Sequence, residues 1–150
     1  MKKLLLILSI SFLVSCSSDD AEPVQESSQT FLEKFNGSGF VDSQGEDYVY
    51  FYNSTGIFMK FAEIDPVDGN FCASLKIGSQ ALDGDSIIVD ILQNNSTTLM
   101  VEIDYKNSVD DKQVITYTIL ANGNISIEDN DGDSNTIGLP TNITYSSLCN

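Results

Sequence analysis

From Phe40 onward, apolar and polar residues alternate with period two and no helical period survives. The clearest run is Leu99, Val101, Ile103 and Tyr105, separated by Met100, Glu102 and Asp104, which predicts a strand with one buried and one wet face. Phe71, Ala73, Leu75 and Ile77 alternate in the same way with Cys72, Ser74 and Lys76, so the first set is expected to face inward. Tyr48 to Tyr52 and Ile57 to Phe61 flank the turn-forming cluster Asn53-Ser54-Thr55-Gly56 and predict a hairpin. Ile87 to Leu92 turns at Gln93-Asn94-Asn95-Ser96, and Lys106 to Lys112 reads as a polar loop.

The segment from Ile115 to Ile127 specifies its own register. A two-residue turn on Asn122-Gly123 would mix the faces, placing Leu120 opposite Ile125 and Ile119 beside Ser126. A three-residue loop, Ala121-Asn122-Gly123 with Gly123 in the left-handed conformation, pairs Ile119 with Ile125 and Tyr117 with Ile127. Only the second keeps one apolar row, because a slip of one residue turns every side chain over. Ahead of the strands, Thr30-Phe31-Leu32-Glu33 matches a capping box, predicting one helical turn that Asn36-Gly37 ends. With Phe40-Val41 as an entry strand, about eight short strands follow. The expected fold is all-β, a small antiparallel up-and-down barrel with one N-terminal helical turn, since so many strands with so little helix must close to bury their apolar face.

A different pattern precedes the barrel. Lys2 and Lys3 are followed by an apolar run from Leu4 to Val14, too short to span a bilayer and of the form of a signal peptide. The run closes in Leu13-Val14-Ser15-Cys16, which resembles the bacterial lipobox. That resemblance implies cleavage before Cys16, its lipidation, and attachment to the outer membrane; the alternative is a soluble secreted protein. Ser17 to Gln29 is rich in Ser, Gln and acids and reads as a tether. Within it, Ser18, Asp19 and Asp20 resemble the export signal of Bacteroidetes-type lipoproteins, which implies display at the cell surface in preference to the periplasmic face. The expected organisation is therefore signal 1–15, acidic tether 16–29 and barrel domain 30–150.

The helical turn, Asn36-Gly37-Ser38-Gly39-Phe40, the Tyr/Phe hairpin, the Cys72 strand and Tyr117-Thr118-Ile119 running into Asn122-Gly123-Asn124 together resemble the small lipocalin-like lipoproteins of Bacteroidetes-type bacteria. Phe40 stands where lipocalins proper carry a Trp after the early Gly. The resemblance implies a binding or structural module of the envelope, for a small apolar ligand or a partner protein. The alternative is a small surface enzyme or a carbohydrate-contacting module.

Charge narrows the partners. Loss of Lys2 and Lys3 with the signal would leave five lysines against 22 acids, a net charge of −17, and there is no Arg to fork onto phosphate or guanine. Nucleic acid is excluded on that basis. The chain has no His, so a serine or cysteine nucleophile lacks its usual base, no catalytic residue is assigned, and a barrel this small is expected to lack a cleft. With Cys16 lipidated, Cys72 and Cys149 form an even pair in an exported chain; a disulfide between them would stabilise by ~4 kcal/mol on the chain-entropy model.

Two surface features remain. Asp129, Asp131, Asp133 and Asn135 place oxygen ligands at alternate positions around Gly132, resembling the first half of a calcium loop, although Pro140 stands where an EF-hand needs its Glu. A solvated turn is the simpler reading, and otherwise no cofactor is expected. Tyr48, Tyr50 and Tyr52 share one strand face, as a pocket lining, a surface stripe or packed core.

Overall fold

Thr30 opens the fold as the N-cap of α1 (Phe31–Lys34), its hydroxyl accepting from the Glu33 N–H while the Glu33 carboxylate accepts from the Thr30 N–H, the reciprocal capping box expected. The structure, a computed structural model, describes residues 29–106, 112–130 and 135–149. After α1 come ten strands: β1 (Gly39–Val41), β2 (Asp47–Phe51), β3 (Ile57–Glu63), β4 (Phe71–Lys76), β5 (Gly78–Leu82), β6 (Asp85–Asn94), β7 (Thr98–Tyr105), β8 (Lys112–Ile119), β9 (Ile125–Asp129) and β10 (Asn135–Thr141). A second short helix, α2 (Tyr145–Leu148), ends the chain.

All ten strands form one antiparallel sheet, ordered β4-β3-β2-β1-β10-β9-β8-β7-β6-β5, that rolls into a nearly closed barrel compatible with a lipocalin-like fold. The first and last strands meet in the middle of this order, Phe40 opposite Pro140. β4 and β5, consecutive in the chain, form the two edges. Among the described residues no backbone ladder joins them; instead the Gln80 side chain accepts from the Lys76 N–H at 3.0 Å and donates to the Ser74 carbonyl at 3.3 Å.

The count of about eight strands is corrected to ten, and one helical turn to two. β5 escaped the pattern because Ser79, Gln80 and Ala81 carry little apolar signal. β10 contains Gly138 and Pro140, which read as turn residues, and its apolar Ile137 and Leu139 are the partly exposed ones, each 38% exposed. Pro140 is tolerated because it lies past the end of the β9 ladder, which stops at Gly138. Lys112, expected at the end of a loop, opens β8, which extends through Gln113 and Val114 ahead of the expected Ile115. Phe71 and Ile77, expected inside, are 41% and 51% exposed, since only the middle of β4, Ala73 and Leu75, reaches the interior.

Inward rows supply the core. Val49 and Phe51, Met59, Leu75, Ile87 and Val89, Leu99, Val101 and Ile103, Tyr117 and Ile125 are buried together, with Phe31 and Leu32 of α1 packed among them. A bulge between Ile57 and Met59 turns Phe58 inward as well as Met59. The hairpin from β8 to β9 has the expected register, Tyr117 opposite Ile127 and Ile119 opposite Ile125, with Gly123 at φ +85°. Helix α1 closes one end: its Phe31 N–H reaches the Asn95 carbonyl and its Leu32 N–H the Asn94 side chain, both at the turn from β6 to β7. Edge-to-face contacts of Phe31 with Phe51 and of Phe51 with Tyr117, at 5.1 and 5.2 Å, fill the barrel beneath it.

Candidate functional site

At the other end, among the described residues, the barrel is open. A cavity of about 220 Å³ lies there, walled by Phe40, Val49, Phe61, Ile115, Tyr117 and Ile127 and rimmed by Asp42, Asp47, Glu63, Gln113 and Asp129. The geometry follows from period two. Asp47 continues the inward row of Val49 and Phe51, Glu63 that of Met59 and Phe61, Gln113 that of Ile115 and Tyr117, and Asp129 that of Ile125 and Ile127. Each apolar row therefore ends, at the same mouth, in a polar residue. This corrects the expectation that a barrel of this size has no cleft.

Four carboxylates share the rim in different surroundings. Burial works against ionisation of Asp42, but N–H groups of the turn that follows it outweigh this and hold its carboxyl below the usual range. Three of those groups, from Gly45, Glu46 and Asp47, lie at 2.8, 2.8 and 3.2 Å. Asp129 accepts from the Gln113 amide at 3.0 Å. Asp47 stands directly opposite Glu63 across the β2–β3 ladder, a like-charge pair. Burial, and then the charge of Asp42, push the Asp47 carboxyl up.

Tyr117 sits deeper, 1% exposed, and burial pushes its phenol well above the usual range. Its hydroxyl has no hydrogen-bond partner among the described residues. Yet among the described residues no buried side-chain oxygen or nitrogen is sealed away without a partner. The Tyr117 oxygen must therefore open onto the cavity it lines. A buried hydroxyl is satisfied by whatever occupies such a space, water or a ligand group.

Cys72 and Cys149 lie at disulfide distance, with Cα atoms 5.9 Å apart. Cys72 is on the outer face, opposite Ala62, so the C-terminal segment approaches from outside. The tyrosines find their place there. Tyr48 and Tyr50 are buried with Ala62 beneath Tyr145, Leu148 and Cys149, as packed core on the outer face and not a free stripe. The Tyr50 hydroxyl donates to the Ile143 carbonyl at 3.0 Å, and burial, followed by Tyr48 and Tyr52, pushes its phenol up to about 12. Lys60 caps the arrangement, its ammonium 4.5 Å from the Tyr145 ring centre.

Of the residues proposed for calcium, Asp131 and Asp133 lie outside the described residues, as does the Asn135 side chain; Asp129 is turned to the barrel mouth. No group of three or more His, Cys, Asp or Glu among the described residues could hold a metal ion. Cys16, Ser18, Asp19 and Asp20 also lie outside the described residues. The acid rim was not legible in the sequence, because nothing in one strand's alternation shows which ends meet when the sheet closes. No protein-family model matches the chain, and no similar curated protein or solved structure was found.

Proposed function

We propose that this protein is a lipoprotein of the outer membrane, anchored through Cys16 and displayed at the cell surface, whose barrel holds a small apolar ligand. The cavity carries this reading. At about 220 Å³ it is larger than a benzene-sized void of ~150 Å³ and smaller than the ~300 Å³ at which pockets for drug-sized molecules begin, which suits a ligand of one or two rings. The described chain enters at Gln29, beside α1, at the closed end. A tether from Cys16 would thus join the barrel at the end away from the mouth.

Two experiments test the two halves. Protein purified from envelopes without organic solvent should release a small apolar molecule on extraction, seen by mass spectrometry, and Ile115→Phe, which fills the cavity, should release none. Equal recovery from both would place the molecule elsewhere. Cys16→Ser should move the protein from the membrane pellet to the soluble fraction, and a variant that still pellets in high salt would end the lipid-anchor reading.

A further inference from the structure

We infer that the cavity selects amphipathic cations, an ammonium group carried on an apolar body of about one ring, over neutral or anionic molecules of the same shape. The inference rests on reading the cavity as a ligand site and adds the chemistry of its ligand. Asp42, Asp47, Glu63 and Asp129 ring the mouth, no lysine lines the cavity, and the chain has neither Arg nor His to balance them. Asp42 and Asp129 already serve as acceptors within the protein. The carboxylates of Asp47 and Glu63 accept no hydrogen bond from the described residues, although they face each other across the ladder.

Asp47 carries the like charge of Asp42 beside it and stands opposite Glu63 in the ladder, so a cation entering at this rim gains attraction from several carboxylates and relieves a repulsion. A metal ion does not fit, since these carboxylates do not converge on a common point. An ammonium does not require convergence, because its three N–H groups can pair with one carboxylate at a time. Beneath the rim the wall is apolar, Val49, Phe61, Ile115 and Ile127, which accepts the body attached to the charge. At its floor the Tyr117 hydroxyl, without a protein partner, offers one polar contact. Charge outside, ring inside and a hydroxyl at depth describe one elongated amphiphile with its cationic end at the mouth.

The test compares three probes that share a ring and differ in charge: phenethylamine, 2-phenylethanol and 3-phenylpropionate, titrated by calorimetry into the purified full-length protein in neutral detergent at pH 7. Phenethylamine should bind about tenfold tighter than the alcohol, with the carboxylate weakest. Asp47→Asn combined with Glu63→Gln, two exposed rim positions, should bring the amine to within about threefold of the alcohol without weakening the alcohol. Equal affinity for amine and alcohol, or a preference that survives the double substitution, overturns the cation inference while leaving the cavity reading intact. If none of the three binds, the cavity reading falls, and this inference with it.

Discussion

Gly39 lies directly opposite Tyr50 on the outer face, and a Cβ built on Gly39 would come within 2.5 Å of the tyrosine ring. The ring occupies the space of the missing side chain, and its hydroxyl donates to the Ile143 carbonyl. Gly39→Ala should therefore displace the ring and cost about 1–3 kcal/mol, read as a lower melting temperature. In a Tyr50→Ala background the same substitution should cost almost nothing. A full cost in both backgrounds would show that the ring is not what excludes the Cβ.

The C-terminal strap depends on a covalent and a packed contribution. Cys149→Ser removes a crosslink spanning 77 residues and should destabilise by up to about 4 kcal/mol, and Cys72→Ser by about the same. The double variant should be no less stable than either single variant, because one bond is lost once. Tyr48 and Tyr50, covered by this segment, should gain solvent access on reduction, measured by tyrosine fluorescence quenching. Two free thiols in the native protein by mass spectrometry would contradict the bond.

Asp47 and Asp42 predict opposite pH behaviour. The folded-state pKa of Asp47 is raised, so its ionisation opposes folding above that pKa, and the effect vanishes below the unfolded value near 4. Asp47→Asn should raise the melting temperature at pH 7 and lose that gain as the pH falls below about 4. Asp42, whose pKa is lowered, contributes stability present above the unfolded value and lost as the pH drops through the folded one. Asp42→Asn should thus be less stable than the parent at pH 7 and close to it in strong acid. Thermal melts across this range check both signs.

Removing a buried tyrosine hydroxyl that is bonded within the protein costs ~1 kcal/mol. Tyr117→Phe should instead leave the melting temperature nearly unchanged, because its hydroxyl has no partner among the described residues. A loss of several degrees would reveal a protein partner.

The hairpin from Ile115 to Ile127 was legible to the residue, because Tyr117, Ile119, Ile125 and Ile127 make one apolar row in only one register. β10 was not. Its inner face carries Thr136 and Gly138, and a Cβ on Gly138 would meet Ile125 at 2.7 Å and Phe40 at 3.3 Å, so close packing excludes the large apolar residues that mark a strand. Cys72 was placed on the outer face by alternation alone, and from that followed the side of approach of Cys149. The three tyrosines were ambiguous for a related reason: Tyr48 and Tyr50 are buried on the outer face by α2, a helix of four residues whose only sequence trace is Tyr-Ser-Ser-Leu. The mouth could not be foreseen because it depends on which strand ends the closure of the sheet brings together.

The most direct test of the ligand cavity is a titration of 2-phenylethanol into isotope-labelled protein, following the methyl resonances of Ile115 and Ile127 inside the barrel and of Ile137 and Leu139 outside it. A saturable shift confined to Ile115 and Ile127, and abolished by Ile115→Phe, is the expected result. No saturable shift, or one that persists when the cavity is filled, would show that the open end of the barrel does not bind.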